Sequence, residues 1–213
     1  MATKFLFDGS AGAKCAILLA HGAGGAMDTP TMTAATKALA DVGFRVARFE
    51  FEYMAARRHS AARKPPPRAE TLCPEYLAAI DALKAKGPLI IGGKSMGGRI
   101  ASMIADDLFT AGRIAGLLCL GYPFHPPGKP EQLRTAHLAK MKTPALIVQG
   151  TRDPFGSRAE VETYALSKAI KVLWLEDGDH DLKPRKRVSG FSAEDHLRTL
   201  AEKAAAWAGK IAA

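Results

Sequence analysis

Short apolar runs alternate along the chain with segments whose apolar positions recur at helical spacing. Runs typical of strands occupy 4–7, 15–20, 45–51, 88–92, 114–121, 144–149 and 171–175. Helical spacing is found at 31–42, 74–86, 95–108, 157–167 and 193–210. Continuously apolar strands that are each followed by a helix indicate a mostly parallel sheet with helices on both faces.

The pattern predicts a single α/β domain over residues 1–213, doubly wound, with about six to seven strands, the run at 4–7 being a possible edge strand. The stretch 55–67 contains three consecutive prolines, shows no periodicity and is predicted to be an exposed loop. Ligand sites in such sheets lie beyond the carboxyl ends of the strands. We therefore expect the candidate chemistry in the segments that follow the strands.

A candidate nucleophile follows the strand at 88–92. The segment Gly92-Gly-Lys-Ser95-Met-Gly-Gly98 contains the Gly-x-Ser-x-Gly spacing of a sharp strand-to-helix turn. In such a turn the serine takes strained backbone angles, and its neighbours at −2 and +2 must be small. The alternative is a glycine-rich helix start that binds phosphate. The glycine and lysine spacing of a nucleotide-binding P-loop is absent, which favours Ser95 as a nucleophile.

A serine nucleophile needs a base, and the base needs an orienting acid. Asp153 and His180 both follow predicted strands, so they are expected on the same edge of the sheet as Ser95. Asp153 has the alternative role of a turn residue, and His180 that of a surface histidine. Three further acids in the histidine's own loop compete for the acid role: Asp177, Asp179 and Asp181.

The first long strand ends in His21-Gly-Ala-Gly-Gly25, where small residues allow a backbone N–H to approach a ligand closely. With Ser95 as nucleophile, the N–H groups of Met96 and Ala23 are predicted to form an oxyanion hole, with Gly24 as the alternative to Ala23. His21 is expected to brace the loop. A dinucleotide loop is the competing interpretation, but the Gly-x-Gly-x-x-Gly spacing is missing.

Predicted pocket walls come from residues that follow strand ends: Gly24, Tyr53, Tyr122, Phe124 and His125. The histidines and cysteines of the chain show no metal-ligand spacing, so no metal site is predicted.

The composition, with 47% apolar and 24% charged residues, is that of a soluble globular protein. No run of about 18 apolar residues is present, so no membrane span is expected. Three widely spaced cysteines fit free thiols in a reducing compartment, and we expect a cytoplasmic protein.

The net charge of +9 comes from two local segments. Met54–Arg68 carries five cations without an acid, and Lys183–Arg187 carries four, so removing these nine leaves a balance of zero. Neither segment contains a Phe, Trp or Tyr that would stack on bases. Specific nucleic-acid binding is therefore not expected. The segments are predicted to be solvated surface, or to contact an anionic group on a small substrate.

Together these motifs resemble the α/β-hydrolase superfamily, and most closely its small, lidless, dienelactone-hydrolase-like serine hydrolases. The resemblance rests on His21–Gly25, on Gly93-Lys-Ser-Met-Gly97, on Gly150-Thr-Arg-Asp153 and on Gly178-Asp-His180, with Phe51-Glu-Tyr-Met54 as a further shared segment. No insertion long enough for a full lid is present, although the loop 123–130 is expected to cover part of the site.

The resemblance implies a Ser95–Asp153–His180 triad that cleaves a carboxylic ester or thioester through an acyl-enzyme, without metal or cofactor. An amidase using the same triad is a second possibility. A catalytically silent scaffold that binds partners through the basic loops is the alternative from another functional class. The expected partner is a small acyl substrate, and the expected state is a monomer or homodimer.

Overall fold

The computed structural model describes residues 3–59 and 65–211. Its strands are β1 (Phe5–Asp8), β2 (Ala16–Ala20), β3 (Arg45–Phe49), β4 (Leu89–Lys94), β5 (Gly116–Leu120), β6 (Ala145–Gly150) and β7 (Ile170–Leu175). Its α-helices are α1 (Pro30–Asp41), α2 (Glu52–Arg57), α3 (Cys73–Leu83), α4 (Met96–Thr110), α5 (Arg158–Val161), α6 (Lys186–Ser189) and α7 (Ala193–Ile211). Short 3₁₀ turns lie at Ala69–Leu72 and Leu138–Lys140.

All seven strands form one sheet in the order β1-β3-β2-β4-β5-β6-β7. Only β1 is antiparallel to its neighbour, so the predicted doubly wound, mostly parallel sheet is confirmed. The chain runs outward from β2 to β3 and then returns to place β4 on the other side of β2. The order therefore reverses between β2 and β4, and this is where open α/β sheets form a ligand crevice.

Each face of the sheet carries its own apolar core. On one face, α3 and α4 pack Tyr76 and Ile100 against the strands. On the other face, α1 and α7 contribute Leu39 and Trp207. Because the central strands are buried from both sides, they read as continuous apolar runs in the sequence.

Three predicted elements differ from the structure. Of the predicted helix at 157–167, only the part from Arg158 to Val161 is helical, and this is α5. A capping box formed by Ser157 and Glu160 lies at its N-terminus. Soon afterwards the N–H of Ser167 donates to the Leu138 carbonyl, and the chain has turned towards β7.

The predicted loop at 55–67 and the predicted strand at 45–51 also need correction. β3 ends at Phe49, and Phe51 caps a helix, α2, that extends to Arg57. Residues 60–64, with the cations Arg63 and Lys64, lie outside the described residues.

We predict opposite effects for two glycine-to-alanine changes in helices. A Cβ on Gly97, in α4, would lie 2.5 Å from the Ala20 carbonyl oxygen and 2.6 Å from that of His21. Gly97→Ala should lower the free energy of unfolding by about 1–3 kcal/mol, the usual cost of overpacking. Gly209, in α7, has open space around it, so Gly209→Ala should raise stability by up to about 1 kcal/mol. Urea unfolding measures both, and equal effects would contradict the crowding argument.

Candidate active site

Ser95 lies between β4 and α4, with φ 51° and ψ −118°. A non-glycine residue held at positive φ costs of order 1–3 kcal/mol and persists only where its surroundings enforce it. Here the Ser95 N–H donates to the Leu120 carbonyl at 3.0 Å, and the Ser95 carbonyl accepts the N–H of Arg99 at 3.0 Å. The turn leaves the side chain of Ser95 in a surface cleft.

The structure brings Ser95, His180 and Asp153 into one hydrogen-bonded chain. His180 Nε2 lies 2.8 Å from Ser95 Oγ, and His180 Nδ1 lies 2.8 Å from Asp153 Oδ2. Because the carboxylate can only accept, Nδ1 carries the proton and Nε2 is free to accept the Ser95 hydroxyl proton. This arrangement is suited to activating a serine hydroxyl.

Asp153 is fully buried, and two other groups complete its environment. The Phe155 N–H donates to Oδ1 at 2.8 Å, and the side-chain amide of Gln149 donates to Oδ2 at 2.9 Å. The Phe155 ring stacks on the His180 ring with centroids 4.1 Å apart. The contacts of Gln149 and Phe155 with Asp153 and His180 were not predicted from the sequence. A glutamine at the end of an apolar strand run was the available signal for a buried polar contact.

The competing acids of the histidine loop are engaged elsewhere. Asp177 binds Arg185, and Asp179 accepts backbone N–H groups of its own loop. Asp181 Oδ1 lies 3.5 Å from the Lys94 ammonium. Of these carboxylates, Asp153 is therefore the one that contacts the His180 ring.

Lys94, the residue before Ser95, connects the loop that carries His180 to the turn between β4 and α4. Its Nζ donates to the His180 carbonyl oxygen at 2.6 Å. Burial lowers the pKa of Lys94, and the charge of Asp181 opposes that shift. The side chain thus links the segments that carry Ser95 and His180.

The loop after β2 is held from behind. His21 Nδ1 donates to the Gly22 carbonyl at 2.7 Å, and His21 Nε2 accepts the Phe51 N–H at 3.2 Å. These two bonds require the neutral tautomer of His21, with the proton on Nδ1. Burial lowers the pKa of His21, in keeping with that form. The Tyr53 hydroxyl donates to the Ala23 carbonyl at 3.1 Å. Tyr53 therefore supports the loop and is not among the residues that line the cleft.

The cleft above Ser95 has a volume of about 720 Å³. Ala23, Gly24 and Met96 are among the residues that line it, and their predicted roles as oxyanion donors and pocket wall stay predictions. Met96 is the first residue of α4, so its N–H belongs to the helix end that has no partner within the helix.

Tyr122 and Phe124 do not line the cleft, which corrects the prediction made for them. Both are fully buried, and the residue between them, Pro123, reaches the cleft instead. The chain turns at Gly121 (φ 64°), so the side chains after β5 point into the core. His125 is likewise buried.

Two cations of the basic segments form ion pairs with carboxylates. Arg58 binds both Glu50 and Asp28, and Arg185 binds Asp177. Arg57 lies over the Tyr53 ring, 5.1 Å from its centroid. These pairs account for part of the charge that the sequence concentrates here.

Within residues 3–59 and 65–211, no group of three or more His, Cys, Asp or Glu is placed to hold a metal ion. The same residues contain no helix that is long and apolar enough to cross a membrane. Cys15, Cys73 and Cys119 are free cysteines.

A family model described as an alpha/beta hydrolase domain matches residues 13–209. The chain belongs to this family. The predicted resemblance is thereby confirmed at the level of family and fold.

Solved structures show the same fold. A dienelactone hydrolase from Anabaena variabilis superposes with a TM-score of 0.73 at 18% identity, over 99% of this chain and 93% of that one. An esterase domain from Rhodothermus marinus gives 0.67 at 17% identity over the whole of both chains. A lidless serine hydrolase from Xanthomonas campestris gives 0.66 at 16% identity, over 98% of this chain and 88% of that one.

Curated relatives include ABHD14B of Pongo abelii and of Homo sapiens, whose name proposes a protein-lysine deacylase activity. They are 32% and 31% identical to this chain over 149 residues. Each match spans 70% of this chain and 66% of the relative, so slightly less than two thirds of the relatives' length is covered.

Asp177 should make the stability of the histidine loop sensitive to acid. Its hydrogen bonds from the Arg185 side chain lower the pKa of this carboxyl to about 2. A depressed pKa stabilises the fold at pH values above about 4, and the contribution is lost as the pH falls towards 2. Asp177→Asn should lower the melting temperature at pH 6, and the difference from wild type should shrink between pH 5 and pH 2.

Asparagine suits this test because Asp177 has φ 56°, a conformation that asparagine also tolerates. The exposed Asp41, changed to Asn, is the control. A difference in melting temperature that stays constant with pH would contradict the assignment to Asp177.

Proposed function

We propose that this protein is a serine hydrolase in which Ser95 attacks the acyl carbonyl of a carboxylic ester or thioester. The observation that carries the proposal is the hydrogen-bonded chain from Ser95 Oγ through His180 to the buried Asp153. His180 Nε2 takes the hydroxyl proton as the C–O bond forms. Asp153 holds the ring and stabilises the imidazolium.

The developing oxyanion is bound by the N–H groups of Met96 and Ala23. The N-terminal end of α4 provides a positive backbone potential beside Ser95. The N–H donors are held in position before the reaction starts. His180 then passes its proton to the leaving oxygen or sulfur, which departs and leaves an acyl group on Ser95. Water, deprotonated by His180, attacks this acyl-enzyme and releases the acid.

The form of the cleft supports a small acyl substrate. The segment between β5 and β6, all of which the structure describes, contains only the 3₁₀ turn Leu138–Lys140 and no lid helix. Substrate therefore reaches Ser95 without a large closure. The complete hydrogen-bonded chain favours an enzyme over a catalytically silent scaffold. The backbone of Ser95 favours it too, because a serine at φ 51° costs free energy and a protein that only binds partners gains nothing from that cost.

Removal of acyl groups from lysine side chains is the second candidate. It is supported by the name of the relatives that are 32% and 31% identical to this chain. Cleavage of an amide requires the same nucleophile, but the nitrogen must be protonated before it can leave. His180 supplies that proton. Release of acetate from an acetyl-lysine peptide, compared with hydrolysis of an aryl acetate, separates the two.

Ser95→Ala should lower turnover of 4-nitrophenyl esters by about 10³-fold or more, because the nucleophile is lost while little packing changes. A fluorophosphonate probe should label the wild type and leave the variant unlabelled. Ser10→Ala is the matched control, since Ser10 is exposed in the turn between β1 and β2. Labelling of the variant at another serine would remove Ser95 from the mechanism.

Tyr53→Phe should lower kcat by about 2- to 10-fold with KM almost unchanged, since a hydrogen bond of ordinary net strength is lost. The bond that Tyr53 donates to Ala23 fixes a loop whose N–H acts mainly in the transition state. Burial raises the pKa of Tyr53 to about 12, so the hydroxyl remains a donor across the assay range. Tyr164→Phe is the control, and a change in KM alone would argue against an oxyanion role for this loop.

A further inference from the structure

The cleft above Ser95 carries more positive than negative charge. Among the described residues, four cationic side chains line this cleft, against the two carboxylates Glu70 and Asp181. The four cationic residues are Arg68, Lys94, Arg99 and Arg134. Lys94 is occupied by the His180 carbonyl and Asp181.

Arg134 has no partner for its charge among the residues that the structure describes. Within residues 3–59 and 65–211, no carboxylate or hydrogen-bond acceptor contacts its guanidinium. Its backbone is nevertheless fixed, because its N–H donates to the Phe124 carbonyl at 2.7 Å and its carbonyl accepts the Tyr122 hydroxyl at 3.1 Å. The two buried aromatic residues thus hold this arginine at the cleft wall from beneath.

Arg99 lies one helical turn after Ser95 and is only partly paired. Its Nη2 donates to Glu70 at 2.6 Å, but its Nε is buried and has no partner among the described residues. Burial lowers the pKa of Arg134, and the charge of Arg99 lowers it further. Two partly desolvated cations therefore face one cleft, an arrangement that costs free energy unless an anion offsets it.

We propose that Arg99 and Arg134 form a subsite for an anionic group, a carboxylate or phosphate, on the acyl substrate of this hydrolase. This inference rests on the proposed function, because the subsite shares its cleft with Ser95. Arginine presents a planar fork of donors that matches both anions. The subsite selects among esters and leaves the bond-breaking chemistry to Ser95 and His180.

The cations that the sequence singled out are less suited to this role. Arg58 and Arg185 are already bound to carboxylates. An ion pair that exists in the free protein must be broken before the arginine binds a substrate. Among the described residues, Arg134 has no such pair to break.

The test compares two 4-nitrophenyl esters of similar length, the neutral valerate and the monoanionic hydrogen glutarate. We expect Arg134→Gln to lower kcat/KM for the glutarate ester by about tenfold or more, the loss expected for a charge-assisted hydrogen bond. The valerate should change by less than about threefold. Arg134→Lys should recover part of the loss. Arg113→Gln removes the same charge from an arginine paired with Asp81 outside the cleft, and should leave both esters unchanged.

A 4-nitrophenyl ester of a phosphonobutanoic acid provides the phosphate-like arm. Preference for the phosphonate over the glutarate supports a phosphate-bearing substrate, and the reverse supports a carboxylate. Equal losses on neutral and anionic esters in Arg134→Gln would overturn the proposal.

Binding measured without turnover separates this proposal from the proposed function. Calorimetry on Ser95→Ala should give tighter binding of the hydrogen glutarate than of the valerate, and Arg134→Gln in that background should remove the difference. Absence of that difference overturns the subsite. Binding that depends on Arg134, in a protein whose wild type cleaves neither ester, would retain the subsite and reject the hydrolase.

Discussion

The backbone at the start of α4 lies so close to the end of β2 that a side chain on Gly97 would strike two carbonyl oxygens, those of Ala20 and His21. A Cβ on Gly93 would meet the same Ala20 carbonyl at 2.5 Å. This approach leaves the connecting turn few conformations, and it holds Ser95 at φ 51°. The same closeness brings the loop after β2 beside the first N–H groups of α4. The proposed nucleophile and the candidate oxyanion donors therefore lie together at one crowded part of the backbone.

A second constraint comes from burying a carboxylate. Asp153 has no exposed surface, and a buried charge is tolerated only where hydrogen bonds replace its hydration. The Gln149 amide, the Phe155 N–H and His180 Nδ1 supply them. The Gln149 oxygen in turn accepts the Tyr122 N–H at 2.7 Å, so the segment after β5 depends on the network that orients the histidine. Charge burial thus joins the ends of β5, β6 and β7 into one rigid edge.

The alternation of apolar runs with segments of helical spacing was enough to predict the sheet. A strand that is buried on both faces is apolar at nearly every position, and this pattern is visible in the sequence. The positions of Ser95, Asp153 and His180 after strands were enough to place them on one edge. The side-chain directions of Tyr122 and Phe124 were not predictable. They depend on how the chain turns after β5 and on which groups form hydrogen bonds with the backbone of that turn. Interactions such as Lys94 with the His180 carbonyl join residues distant in sequence and leave no local pattern.

Charge distribution in the cleft separates two uses of the same chemistry. Where a peptide that presents an acyl-lysine carries further cations, those cations would meet Arg99 and Arg134 at the cleft wall and be repelled. An acyl group with its own anionic end would be attracted to the same wall. In the proposed mechanism both substrates undergo the same attack by Ser95, so the fold and the Ser95–His180–Asp153 chain do not distinguish them. Selection between them falls to residues outside that chain, in the walls of an open cleft where neighbouring hydrolases of the same fold are free to differ.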